Sequence, residues 1–238
     1  MPDELEVERI LVVSAHPDDV DFGAAGSVAV WTQQGIDVSY CIVTDGEAGG
    51  SDPSISRAEM AAIRRSEQLA AAECVGVSDV KFLGFPDGRL QATLELRRDI
   101  SRVIRQVRPE RVVCQSPQRN FQRIYASHPD HLAAGEATLC AVYPDARNLF
   151  AHPELMEAGL EPWTVPEVWM MVGAEMNAHV DTTAVIDRKV KALLCHASQI
   201  SDADAMDNLI RQWGAAIATS VGLPEGSYAE AFQRIETR

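Results

Sequence analysis

At 238 residues and 46% hydrophobic content, the chain suits one large α/β domain with a substantial core, and nothing forces a division of 1–238. Its 21 basic and 35 acidic residues give a formal charge of −14, which argues against nucleic acid and against an anionic membrane surface, since both need basic patches. No run approaches the roughly 18 apolar residues of a membrane span, and the acidic start Met1-Pro2-Asp3-Glu4-Leu5-Glu6-Val7-Glu8 lacks the basic and apolar segments of a signal peptide.

Arg9–Ala15 is a short, continuously apolar run of the kind a buried parallel strand needs. A helix is expected from about Ala24 to Gln34, ended by Gly35, then a second strand at Val38–Thr44 and a glycine-rich loop, Asp45-Gly46-Glu47-Ala48-Gly49-Gly50. Arg57–Cys74 reads as the clearest helix, with Ser56 as N-cap and Gly76 as stop. Val80–Leu83 is a third strand, closed by the turn Gly84-Phe85-Pro86-Asp87-Gly88. Leu94–Val107 follows as a helix, Arg111–Gln115 as a fourth strand, and Pro129–Val142 as a helix with proline in its first turn.

Residues 143–166 hold four prolines and little periodicity, which fits either a binding loop or a solvated crossover. Strands at Val168–Val172 and Val180–Thr183 come next, then helices at Arg188–Ala197 and Ala203–Ser220 and a short terminal helix within Ser227–Arg238. The alternation predicts a Rossmann-like, doubly wound, mostly parallel sheet with helices on both faces, strand order 3-2-1-4-5 and extra C-terminal strands. The five cysteines are scattered without a C-x-x-C pair, so reduced thiols and a cytoplasmic location are expected.

Ligands in such sheets bind beyond the carboxyl ends of the strands where the strand order reverses, here between strands 1 and 4. Those two strands lead into Ala15-His16-Pro17-Asp18-Asp19 and Ser127-His128-Pro129-Asp130-His131, which hold three of the six histidines. His16 and Asp19 are three residues apart, as are His128 and His131, so each pair can face one way on a tight turn. Two such pairs can give three protein ligands to one divalent ion and leave positions for water, the pattern of catalytic zinc. With no cysteine involved, Zn²⁺ is the first choice, with Fe²⁺, Co²⁺ or Mn²⁺ open. If Asp19 ligates, Asp18 can act as base on a metal-activated water, and the unligated histidine of the second pair can stabilise an oxyanion.

These motifs resemble the LmbE-like or PIG-L zinc deacetylases, which include the mycothiol- and bacillithiol-pathway and glucosaminylphosphatidylinositol de-N-acetylases. The resemblance runs through AHPDD, TDGEAGG, Ile63-Arg64-Arg65-Ser66-Glu67, FLGFPDG, SHPDH and the segment Asp187–Gln199. One departure is Val20, where many members have an acidic residue after HPDD; Asp21 follows it. The resemblance implies that His16, Asp19 and His131 bind zinc, that Asp18 is general base and then proton donor, and that His128 stabilises the oxyanion. It implies further that Asp130 orients or charges a neighbouring histidine, and that Arg64 or Arg65 and Asp87 contact the sugar. Glu47 and His196, the latter in a recurring His-x-Ser-Gln, are added as candidate substrate contacts, and Arg119, Asn120 and Tyr125 as pocket lining or carriers of an oxyanion donor.

The expected activity is thus hydrolysis of an N-acyl group, most simply acetyl, from an N-acylated amino sugar or related small conjugate. An amidase acting on a thiol or glycoside conjugate and a non-catalytic sugar-binding protein on the same fold are the alternatives. A homo-oligomer is left open. A nucleotide-dependent oxidoreductase is disfavoured, because Gly23-Ala24-Ala25-Gly26 is not a G-x-G-x-x-G fingerprint.

Overall fold

Seven strands form one sheet in the order β3-β2-β1-β4-β5-β7-β6, in a computed structural model that describes residues 5–121 and 124–238. The acidic residues 1–4 of the expected non-signal N-terminus lie outside the described residues. At the centre is β1 (Arg9–Ser14), buried at every position after Arg9. It pairs in parallel with β2 (Asp37–Thr44) through Val12↔Tyr40 and with β4 (Arg111–Gln115) through Val13↔Cys114. β3 (Asp79–Phe85) adds to β2, and β5 (Glu167–Met171) adds to β4, all in parallel.

Alternate residues of the central strands feed two different cores. Ile10 and Val12 pack with Tyr40, Trp31, Trp169 and Phe232 on one face. Leu11 and Val13 pack with Cys41, Ile100, Ile104 and Val112 on the other. A continuous apolar run is therefore required, since neither face of these strands meets water.

A short helix not expected from the sequence, α1 (Asp19–Gly23), precedes α2 (Ala25–Gln33), the helix expected from about Ala24 to Gln34. The break falls at Ala24, and the start of α2 is capped from outside its own sequence: the Glu230 carboxylate accepts the backbone N–H groups of Gly26 and Ser27. Such a cap from another element cannot be read locally. By contrast α3 (Arg57–Cys74) begins where expected, with Ser56 and Glu59 forming a capping box.

The helix α4 (Leu94–Val107) and α5 (Pro129–Cys140) cover the second face. Gly135 is the contact point of α5 with the sheet: a Cβ there would collide with the Gln115 carbonyl at the end of β4. That close approach brings the N-terminus of α5, and with it His128–His131, against the ends of β4 and β1.

The stretch 143–166 is neither free nor unstructured. The buried Arg105 guanidinium donates to the carbonyls of Asp145, Ala146, Asn148, Ala151 and Leu160, and α6 (Pro153–Glu157) lies within it. After β6 (Ala178–Asp181) come α7 (Ile186–Leu194) and α8 (Ala203–Ser220).

The C-terminal segment is a strand, β7 (Ala229–Glu236), where a terminal helix was expected. It lies antiparallel between β5 and β6, and its inner residue Phe232 is fully buried against Trp31 and Trp169. The alternating burial along it is a half-buried strand pattern, concealed in sequence by the helix-favouring Glu230, Ala231 and Gln233. All five cysteines are free, as expected; Cys41 and Cys114 are buried, and the thiols of Cys74 and Cys195 lie 3.9 Å apart.

This packing makes the last strand part of the core. Phe232→Ala is expected to cost about 3–5 kcal/mol of stability, as for other large-to-small aromatic truncations, read as a lowered urea midpoint with an unchanged slope.

Candidate active site

The turn after β1 is held from several sides before it presents any chemistry. Ala15 donates its N–H to the Gln115 side chain at 2.9 Å, and the Thr44 hydroxyl donates to the Ala15 carbonyl at 2.9 Å. Asp18 then adopts φ 88°, ψ −29°, a left-handed conformation that costs a non-glycine residue about 1–3 kcal/mol. Arg64 offsets this strain: its guanidinium donates to the Pro17 carbonyl at 2.6 Å, to the Asp18 carboxylate at 3.0 Å and to the Gly46 carbonyl at 3.0 Å. Gly46 has φ +64°, and a Cβ there would collide with that guanidinium.

Asp19 joins the two loops. One carboxylate oxygen is 3.2 Å from His16 Nδ1, and the other is 3.0 Å from His131 Nε2. The rings of His16, His128 and His131 lie 5.0–5.3 Å apart, with ring nitrogens within 4.8 Å of one another. On its far side, His16 Nε2 faces Asp87 at 2.9 Å and Asp130 at 3.3 Å. A buried carboxylate behind an imidazole is the arrangement that orients a metal-ligating histidine.

Charge is distributed accordingly. Burial opposes the imidazolium of His16, but Asp19, Asp130 and Asp87 outweigh it and push the value up to about 12. Burial likewise opposes the carboxylate of Asp19, yet His131 and His16 hold it well below the usual range. Asp18 goes the other way: burial and the neighbouring Asp19 charge push it up to about 7, with Arg64 pulling against them. Two adjacent carboxylates thus have opposite tendencies, one fixed as an anion and one poised to exchange a proton near neutrality.

His128 sits at the N-cap of α5, where its Nδ1 accepts the Asp130 backbone N–H at 3.2 Å. The proton of the neutral ring is therefore on Nε2, which makes that atom a donor. Burial and the positive neighbours His16 and His131 lower its pKa, so the neutral form is favoured.

A cavity of about 550 Å³ opens from Asp18, Asp19 and His131. Gln115, Ser116, Gln118, Asn120 and Tyr125 line it near these residues, and Phe22, Met171, Ile186, Ile210 and Trp213 line its body. No residue of 143–166 contributes to its wall among the described residues.

A sequence profile described as "PIG-L: GlcNAc-PI de-N-acetylase" matches residues 11–142. The chain belongs to the PIG-L family. A diacetylchitobiose deacetylase of Thermococcus kodakarensis is 34% identical over 197 residues, covering 83% of this chain and 72% of that protein. A probable N-acetyl-alpha-D-glucosaminyl L-malate deacetylase 2 of Bacillus anthracis is 30% identical, covering 81% and 82%. Among solved structures, the N,N'-diacetylchitobiose deacetylase from Pyrococcus horikoshii superposes with a TM-score of 0.89 at 27% identity, over 97% of this chain and 85% of that one. The 4-carboxy-2-hydroxymuconate hydratase from Pseudomonas putida superposes with a TM-score of 0.80 at 26% identity, over 97% of both chains.

In this PIG-L protein both histidine–aspartate loops meet as their spacing suggests, but several expected substrate contacts lie elsewhere. His196 is 0% exposed, and its Nε2 bonds Asp21 at 2.8 Å, so it cannot touch a substrate. Arg64 is likewise buried and spends its guanidinium on the turn just described. Arg65 points away, over the Phe82 ring and 3.6 Å from Asp45. Glu47 accepts the Asp87 N–H and pairs with Arg57, bracing the loop that carries Asp87.

Asp87 itself is nearly buried between His16 and the Ala48 N–H, and burial is outweighed there by His16, which holds the acid down to about 2. Asp130 is fully buried, accepts from the N–H groups of Gly88 and Leu90, and reaches the site only through His16; it orients that ring. Asn120 and Tyr125 do line the cavity, whereas Arg119 bonds back to the Ser127 carbonyl.

One buried residue escapes the motif-based reading: Gln68, whose side chain accepts the Asp18 N–H at 2.8 Å. A signal for it exists. Met60, Arg64, Gln68 and Ala72 share one face of α3, and two polar residues in such a stripe imply specific buried partners.

A divalent ion entering this cluster must displace the proton that the carboxylates retain on His16. Binding of Zn²⁺ or Mn²⁺ at pH 6.5 is therefore expected to release about one to two protons, and affinity should rise with pH. Calorimetry in buffers of different ionisation heat reads this directly; binding without proton release would contradict a protonated His16 in the metal-free cluster.

Proposed function

We propose that this protein is a metal-dependent hydrolase that removes the acetyl group from an N-acetylated amino sugar or a conjugate of one. The observation that carries the proposal is the division of labour between neighbours in one turn. Both line the cavity, but Asp19 is held between His16 and His131, while Asp18, raised toward neutrality, pairs with neither histidine. The curated relatives, deacetylases of diacetylchitobiose and of an N-acetylglucosaminyl malate, support the same reaction class.

The donor set fits a divalent ion: His16 Nδ1 and His131 Nε2 both face one anionic carboxylate, and His16 is backed by Asp130. When bound, the ion would supply Lewis acidity, lowering the pKa of a water ligand to about 7 and polarising the amide oxygen. Zn²⁺ suits nitrogen and oxygen donors in this number, and Fe²⁺ would occupy the same set.

Asp18 is the base that takes the proton from the attacking water, and its raised pKa suits a group that must both accept and return it. His128 Nε2–H is the donor to the amide oxygen as negative charge develops there, since its Nδ1 is committed to the α5 cap. The carbon–nitrogen bond then breaks, Asp18 passes its proton to the departing amine, and acetate and the free amino sugar leave. Arg64, by holding Pro17 and Asp18, keeps the base in place.

The structural likeness to a hydratase favours a second reading, addition of water to a carbon–carbon double bond of a carboxylated substrate. Such a substrate needs cations. Among the described residues no arginine lines the cavity, its lysine Lys189 is paired with Glu230, and its histidine His131 is paired with Asp19. The deacetylase reading is therefore preferred.

A panel of N-acetylglucosamine, diacetylchitobiose, N-acetylated thiol conjugates and hydroxymuconate-type acids, assayed with Zn²⁺ for amine release or loss of the diene chromophore, separates these readings. Amine release is expected; turnover of the diene acid alone, or sugar binding without turnover, would overturn the proposal. Asp18→Asn is expected to retain one ion per chain while losing about 100-fold or more in kcat. Near-normal turnover in that variant would remove Asp18 from the chemistry.

A further inference from the structure

A chain of buried polar groups runs from the end of α7 to the backbone of Asp18. The imidazole Nε2 of His196 bonds Asp21 Oδ2 at 2.8 Å. The same oxygen accepts the Gln68 Nε2–H at 3.0 Å, and Gln68 Oε1 accepts the Asp18 N–H at 2.8 Å. His196, Asp21 and Gln68 are all 0% exposed, and none of them lines the cavity.

The order of donors and acceptors along this chain allows only one orientation of the Gln68 amide. Reversed, its carbonyl would face the Asp21 carboxylate and its NH₂ would face the Asp18 N–H, and both contacts would be repulsive. Asp21 therefore dictates which end of Gln68 meets Asp18, and His196 holds Asp21. As N-cap of the helix that begins at Asp19, Asp18 makes no side-chain bond to the first turn, and its own N–H donates to Gln68 Oε1. The left-handed backbone of Asp18, at φ 88°, depends on outside bonds, and Gln68 supplies the one to its amide.

We propose that Gln68, locked in orientation by Asp21 and His196, is a positioning residue that holds the Asp18 backbone left-handed and so aims its carboxylate into the cavity. The inference rests on Asp18 being the proton-transfer group. Without Gln68 the backbone at Asp18 relaxes, its carboxylate turns, and Asp19 stays with His16 and His131 because those contacts involve neither Gln68 nor Asp21. The Ser198 hydroxyl and N–H bond Glu67 on α3, so the His-x-Ser-Gln segment is anchored beside Gln68 independently of the His196 ring.

The test uses the full chain loaded with Zn²⁺ and has two readouts. Gln68→Ala is expected to lower kcat by about tenfold to a hundredfold, as for a slightly misplaced catalytic group, with KM and bound zinc within about twofold of the parent. In both proteins, amide hydrogen exchange at Asp18 is followed by mass spectrometry and NMR. It is expected to accelerate at least about tenfold in Gln68→Ala, with β2 unaffected.

His196→Gln, which can still donate to Asp21, should keep kcat within about threefold and leave exchange at Asp18 slow; His196→Leu should behave like Gln68→Ala. If Gln68→Ala does not fold, the two His196 variants decide the matter alone. Unchanged exchange at Asp18 with unchanged kcat would overturn the proposal, and so would loss of zinc in parallel with kcat. Should the parent protein hydrolyse no amide, the deacetylase reading fails, and the exchange data still decide whether Gln68 holds Asp18.

Discussion

Asp19 is the point on which the site depends. One carboxylate touches an imidazole from the loop after β1 and another from the start of α5, more than 100 residues further along. That contact exists only because β1 and β4 pair side by side and because Gly135 lets α5 close onto the end of β4. With His16 and His131 facing it, Asp19 stays ionised in spite of its burial, and burial together with that neighbouring charge raises Asp18 toward neutrality. The electrostatics of the site thus follow from one strand pairing and one glycine.

The surrounding polar residues are largely a frame for that contact. Asp130 and Asp87 stand behind His16; Arg64 and Gln68 hold the strained turn at Asp18; Glu47 braces the Asp87 loop. Burying so many polar groups contributes little net stability compared with apolar packing, because each bond replaces one made to water. Their value lies in geometry. In the proposed mechanism a base stands next to a metal-ligating carboxylate, which requires the two side chains to diverge, and a left-handed residue at Asp18 provides that divergence at the cost of outside support.

The PIG-L family membership and the structural likeness to a hydratase also set a limit on fold-level reasoning. The same sheet and switch point serve more than one reaction that uses water. What inclines this chain toward amide hydrolysis is the lining of its cavity, apolar in its body and without an unpaired lysine or arginine among the described residues.

Much was legible in the sequence itself. The parallel core order, the α3 capping box and the meeting of the two histidine–aspartate loops follow from apolar runs, local caps and the right-handed crossover rule, all of which act over short stretches or admit few topologies. The terminal strand was not legible, because Glu230, Ala231 and Gln233 favour helix locally, and only pairing with β5 and β6 and the burial of Phe232 override that preference. Nor were the roles of Arg64, Gln68 and His196, for a polar residue in an apolar stripe declares that it has a partner but not which one. The sequence by itself determined which residues could do the chemistry and roughly where they would gather. Tertiary structure alone decided which of them face the cavity and which are spent holding the others, because that depends on contacts between elements far apart in the chain.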